Sequence, residues 1–321
     1  MSMYLARVFA VLAYAFIIYF AIKLTPKFKE FFLLFALLPM SLQQAGSFSA
    51  DMMVIAATFF VIALAMNYIY SDDKKLSKKQ IALMYIAVLA MSATKSLAYL
   101  PMGLLFVLIP ARKFKNVFVK FLHLFMIVVI AVSSNYAWMS IQDKTPGLVN
   151  QGETSEITEK QSTKKENITA PEFLSMTFGT FLGANTEHIV NGIFGMNLSY
   201  KYIAPLRAYV FVMIILVVIM IIKANEKLEK RKYDKLVFWA IPILLCVAFY
   251  YVAAYQWKFA EENGVISGIQ GRYIIPILPL IPFMAYYNKK EKTEPLDINY
   301  VYMFIIFANV CVLATKFLHN I

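Results

Sequence analysis

Charge, cysteine, histidine and the signatures of soluble catalysis are all scarce in this chain. Only 16% of its 321 residues are charged while 60% are hydrophobic, a balance that would leave a soluble domain of this size coated in apolar surface. A water-soluble globular protein is therefore excluded. Cys246 and Cys311 each lie inside an apolar block, where neither a disulfide framework nor a zinc site is plausible, and both read as packing residues. His123, His188 and His319 stand far apart, and the chain has no GxxxxGK followed by Ser or Thr, no HExxH, no GxSxG and no paired CxxC. The expectation is no metal and no cofactor.

What is abundant is apolar sequence in blocks of about twenty residues, the length an α-helix needs to cross ~30 Å of hydrocarbon. The blocks fall near 4–22, 31–48, 51–70, 81–94, 97–110, 117–141, 204–222, 236–257, 272–287 and 300–318. They predict an all-α polytopic protein of about ten membrane segments, embedded in a lipid bilayer. The pair at 81–94 and 97–110 is short for a span at ~1.5 Å rise per residue and reads as a hairpin of short or tilted helices. Three regions follow: N-terminal membrane helices over 1–141, a polar and interfacial loop over 142–203, and C-terminal membrane helices over 204–321.

A net charge of +12 raises the question of nucleic acid, but the basic residues sit in short runs between apolar blocks, not along a soluble face, and no nucleic-acid partner is expected. Alternating the segments places the loops near 23–30, 71–80, 111–120, 223–235 and 288–298 on one side, where they hold 20 of the 31 basic residues and nine of the 19 acidic ones. That side is cytoplasmic by the positive-inside rule. Both termini and the loop 142–203 are then external to a cytoplasmic-type membrane.

Within that loop Gln151 to Thr169 is polar and predicts a mobile stretch. Pro171 to Pro205 carries Phe173, Leu174, Met176, Phe178, Phe181 and Leu182, enough to predict short helices on the outer membrane surface. Met1 runs into an apolar block with no basic n-region and no cleavage site. Either this first helix inserts with its N-terminus outside, or a helix and an external loop precede it.

Charges beside apolar blocks are the best guide to function, because placing one in hydrocarbon costs at least ~2.5 kcal/mol on the mildest scale. Asp51, in GSFSADMMVIAATFF, reads either as a helix N-terminus capped by Ser49 or Asp51, or as a carboxylate facing an external cavity to orient a sugar hydroxyl or a basic partner. Lys95, in MSATKSLAYLP, is either a snorkelling anchor or a ligand for a lipid-linked phosphate. Arg272 follows the permissive glycines Gly264, Gly268 and Gly271 and is either an interfacial anchor or a bidentate phosphate clamp. Pro276, Pro279 and Pro282 come next, at steps of three, and predict a kinked or locally unwound helix whose freed carbonyls need protein or a cavity around them. Tyr200, Lys201 and Arg207 read more as interfacial anchors than as ligands.

Three stretches carry a resemblance: LLPMSLQQAGSFSADMMVIA (Leu37 to Ala56), NGIFGMNLSYKYIAP (Asn191 to Pro205) and GVISGIQGRYIIPILPL (Gly264 to Leu280). Their order and spacing resemble the bacterial multi-pass membrane family called domain of unknown function 2142, grouped with GT-C glycosyltransferases. The resemblance implies a GT-C-like enzyme that takes sugar from a polyprenyl-phosphate donor and transfers it to a surface glycan acceptor outside the membrane. It places Asp51, Gln270, Arg272, Tyr273 and Lys95 on substrate-binding positions. Such enzymes usually keep an acidic catalytic residue in a first external loop after a helix running from inside to out. Here the first segment runs from outside to in, like the family's second helix, so the usual base is not among these residues and the chain looks N-terminally truncated. The alternative is a non-catalytic transporter or assembly subunit for lipid-linked glycans.

Overall fold

A chain in lipid has no water to bond its peptide groups and must satisfy them within its own helices. The structure, a computed structural model, describes residues 2–47, 49–71, 75–94, 97–144, 168–183, 185–195, 207–229, 232–256, 260–261, 263–286, 294 and 296–318. Among these residues there is no strand, only one isolated bridge between Ala260 and Ile266. The α-helices are α1 (Ser2–Leu24), α2 (Lys29–Ala36), α3 (Pro39–Gly46), α4 (Ala50–Tyr70), α5 (Lys78–Ser92), α6 (Val117–Lys144), α7 (Ala170–Leu182), α8 (Asn185–Ile193), α9 (Arg207–Lys223), α10 (Lys232–Tyr251), α11 (Ile281–Ala285) and α12 (Ile298–Leu318).

Among the described residues four helices are long and apolar enough to cross a membrane: Met3–Leu24, Ala50–Tyr70, Val117–Ala137 and Tyr233–Tyr255. Shorter apolar helices lie at Ala98–Leu108, Tyr209–Lys223, Gly271–Ala285 and Ile298–Ala314. The long four differ in burial, from 83% for the α4 span to 11% for the α6 span, which makes α4 the centre of the bundle and leaves α6 at its rim. Ala56, Ala57, Ala63 and Ala65 are buried along α4, small residues that let neighbouring backbones come close. Against α4 packs α1, which buries Ala10, Tyr14, Ile18 and Ala21 on one helical face while Tyr4, Phe9, Leu12 and Phe16 stay exposed.

Prolines set the irregular elements. The block predicted as one segment over 31–48 is broken into α2 and α3, with Pro39 opening the second helix. The carbonyls left over at the break are taken up by the Ser41 hydroxyl, which donates to Phe35 O at 2.7 Å, and by the Tyr14 hydroxyl, which donates to Ala36 O at 2.8 Å. Where Pro276, Pro279 and Pro282 predict a kink, the backbone tightens into a 3-10 helix over Ile275–Leu280 before α11. Every residue of that 3-10 helix is buried, packed against α4 and α2. The second arm of the predicted short hairpin is likewise a 3-10 helix, Leu97–Leu108, with Pro101 inside it. At ~2 Å rise per residue such a helix covers more length than an α-helix of equal residue count.

Described parts of four of the loops predicted to share one side make contact in pairs at one end of the bundle, 23–30 with 223–235 and 71–80 with 111–120. Lys27 Nζ pairs with Glu226 at 2.8 Å, and the Tyr286 hydroxyl donates to the Glu226 carbonyl. Lys113 Nζ donates to Ser71 O at 2.8 Å, and Leu76 N donates to Lys113 O at 2.8 Å. At the opposite end, α7 and α8 cover the bundle. The capping box of Thr169 and Glu172 starts α7, which buries Phe173 and Met176 and exposes Leu174, Phe178 and Leu182. Phe173 packs edge-on to Tyr251, ring centres 6.1 Å apart. Of the short helices expected between Pro171 and Pro205, α7 and α8 are present among the described residues, as far as Ile193. Cys246 and Cys311 form no disulfide and lie half-buried within α10 and α12.

Candidate functional site

The covered end of the bundle brings Asp51 and Arg272 together. Asp51 occupies the first turn of α4, where a carboxylate complements the positive end of the helix dipole, and it is buried. Its Oδ2 lies 2.9 Å from Arg272 Nε, with side-chain exposures of 12% for Asp51 and 30% for Arg272. The Nε–H is not aimed along that line, so the contact is a charge pair and not a hydrogen bond. Among the described residues Arg272 makes no other ion pair or hydrogen bond, which leaves its outer guanidinium edge with donors in hand.

The first expectation for Asp51, a capped helix start, is only partly met. Ser49 holds the N-cap position, but its side chain does not bond the helix N–H groups. Its hydroxyl donates instead to Gln44 Oε1 at 3.0 Å and accepts from the Ser47 hydroxyl at 2.8 Å. Gln44 is itself buried. The QQAGSFSAD stretch therefore spends its polar side chains on one another, and α4 begins with a carboxylate directed at a basic partner.

Tyr273 supplies the wall. Its ring stacks on Phe249 at 5.7 Å between centres, and Phe249 meets Tyr99 edge-on at 5.0 Å. The Arg272 guanidinium carbon lies 5.5 Å from the Tyr273 ring centre, a cation–π distance that holds the side chain over an aromatic face. The Tyr99 hydroxyl donates to Tyr273 O at 3.1 Å and lies within electrostatic reach of both Asp51 and Arg272. Gln270 precedes the short 3-10 turn Gly271–Tyr273; its carbonyl accepts from Tyr273 N at 3.0 Å, and its side chain is half-buried.

Glycine contact fixes the roof. A Cβ on Gly271 would fall 2.1 Å from Ile189 O and 2.4 Å from Ile193 N, and one on Gly192 would fall 2.9 Å from Gly271 N. Only hydrogen at both positions lets α8 lie directly on the turn that presents Arg272. Gly264 and Gly268 serve otherwise, holding φ of 83° and 82° in the preceding loop. That loop is tied to α7 by Ile266 N, which donates to Thr180 Oγ1 at 3.0 Å.

Four of the five residues singled out by sequence therefore lie on one site: Asp51 and Arg272 in contact, with Gln270 and Tyr273 flanking the arginine. Lys95 lies outside the described residues, as do Tyr200 and Lys201, and the side chain of Arg207 is not described. Sequence reading missed Tyr99, Gln44 and Gly192. Tyr99 stands four residues after Lys95, and Gly192 is the second residue of the second quoted stretch, but nothing in either segment shows that it meets the third. Among the described residues no group of three or more His, Cys, Asp or Glu is placed to hold a metal ion.

Comparisons with curated proteins and with solved structures give no match. A family model described as "Predicted membrane protein (DUF2142)" matches residues 1–281. Together with the apolar helices, that match over most of the length makes this chain a member of that family, domain of unknown function 2142, and an all-α membrane protein.

Proposed function

We propose that the chain is a GT-C-type membrane glycosyltransferase, or a fragment of one, that uses a polyprenyl-phosphate-linked sugar to modify a surface glycan. The observation that carries this reading is Arg272: a guanidinium held over the Tyr273 ring and against Asp51, with its outer edge left for an anion. A guanidinium edge matches two phosphate oxygens better than any other side chain. In this reading Arg272, together with Lys95, binds the donor phosphate and stabilises the charge it gains as the sugar–oxygen bond breaks. Asp51 orients Arg272 and organises the sugar cavity, and Gln270 and Tyr273 line it. The proton released by the acceptor hydroxyl goes to a general base outside these five residues.

The topology belongs to the same proposal: a multi-pass protein of about ten segments in a bacterial plasma membrane, with both termini and residues 142–203 external. Its regions are membrane helices over 1–141 and 204–321 with the external loop 142–203 between them. The clustering of basic loops at the end remote from Asp51 supports this orientation. One observation favours the rival reading of a non-catalytic transporter or assembly subunit for lipid-linked glycans: the Asp51 carboxylate is already engaged by a cation.

Transfer of labelled sugar from polyprenyl-phosphate donors by the purified full-length protein tests the enzyme reading. Transfer that falls at least tenfold in Arg272→Ala supports it. Donor binding or lipid flipping in proteoliposomes, without transfer from any donor, assigns the site to the rival.

A further inference from the structure

The end of the bundle remote from Asp51 holds a cavity of its own. A cavity of about 220 Å3 opens there between α2, α9 and the start of α12, with Phe28, Phe31 and Met220 as its apolar floor and Glu30, Lys223 and Glu226 around it. Glu226 is tied to Lys27 at 2.8 Å. Among the described residues Glu30 and Lys223 have no ion-pair or hydrogen-bond partner, though both line this one cavity.

Phe28 holds the arrangement in place. It adopts a left-handed backbone conformation, φ 59° and ψ 38°, uncommon for any residue but glycine. That turn buries its ring among Phe31, Phe283 and Tyr286, each pair edge-on with centres 5.0 to 5.8 Å apart. It also sets Glu30 in the first turn of α2, facing the last turn of α9 where Lys223 stands. Outside the cavity the apolar side chains of Ile219, Ile222, Tyr302 and Met303 are exposed on α9 and α12.

From these features we infer that the cavity binds the headgroup of a zwitterionic phospholipid, one that carries an ammonium and a phosphate. Two opposite charges left unmatched across one small cavity fit a ligand with both charges a few bonds apart. Glu30, with Glu226 beside it, takes the ammonium, and Lys223 takes the phosphate. The volume is below the ~300–1,000 Å3 of drug-sized sites, so only the headgroup enters. The acyl chains lie against the exposed apolar faces of α9 and α12, continuous with the bilayer. This site is independent of the glycosyltransferase reading.

Native mass spectrometry of the purified full-length protein tests it, titrating phosphatidylethanolamine and phosphatidylglycerol of equal chain length. Wild type is expected to bind phosphatidylethanolamine about fivefold more tightly, the scale of one partly exposed ion pair. Glu30→Gln abolishes that preference, Lys223→Gln weakens both lipids, and Lys223→Arg restores wild-type binding. Equal binding of the two lipids by wild type overturns the inference. So does an undiminished preference in Glu30→Gln, or soluble phosphoethanolamine binding as tightly as the lipid.

Discussion

Asp51–Arg272 and Lys27–Glu226 join the N-terminal part of this chain to its C-terminal part, one pair at each end of the bundle, and they are built differently. Asp51–Arg272 has a carboxylate with 12% side-chain exposure and an arginine backed by a tyrosine ring, under a roof of two short helices. Lys27–Glu226 has a similar separation, 2.8 Å, but both partners are about 30% exposed. Solvent and salt screen the second pair, so its contribution is small. Removing one partner of the first strands a charge in a confined site, which costs more. Distance alone does not tell the two ends apart; enclosure and the surplus hydrogen-bonding capacity of the arginine do.

The comparison breaks most visibly at the roof. Gly271→Ala pushes a methyl into the α8 backbone and is expected to cost about 3 kcal/mol, the upper end of overpacking effects, read as a large fall in thermal midpoint in detergent. Gly264→Ala, where no atom lies within 4 Å of the added Cβ, carries only the backbone strain of a positive φ, about 1 kcal/mol.

Next comes the pair itself. Asp51→Ala is expected to destabilise by about 1.5–3 kcal/mol, and a double-mutant cycle with Arg272→Ala should show coupling above about 1 kcal/mol. Additivity of the two substitutions would mean that the pair is not formed in the folded protein. Tyr99→Phe removes one hydrogen bond, to Tyr273 O, and should cost about 1 kcal/mol in stability while loosening the turn that presents Arg272. The smallest effect is at the other end, where Lys27→Ala should cost no more than about 1 kcal/mol and shrink further as salt is raised.

Much of this architecture was legible in the residues. Apolar block length marked the helices, basic runs marked the loops that meet around Lys27, Glu226 and Lys113, and the spacing of Pro276, Pro279 and Pro282 marked a helix that could not stay α. Asp51 and Arg272 stood out because charge beside lipid is costly. Their pairing did not, because it depends on how α4 and the Gly271–Tyr273 turn cross in space. The break at Pro39 was hidden by continuous hydrophobicity from residue 31 onward, which reads the same in one helix or two. Gly192 and Tyr99 were silent for the same kind of reason: a glycine under a neighbouring backbone and a tyrosine bonded to a carbonyl carry no local pattern.

The central claim is that the Asp51–Arg272 end, and not the Lys27–Glu226 end, holds the polyprenyl phosphate of the sugar donor. Binding of a polyprenyl phosphate to the purified wild type, Arg272→Ala and Lys27→Ala measures it directly. The account predicts a loss of about 10- to 100-fold for Arg272→Ala, the worth of a charge-assisted guanidinium contact, and wild-type affinity for Lys27→Ala. Unchanged binding in Arg272→Ala, or an equal loss in both variants, would contradict it.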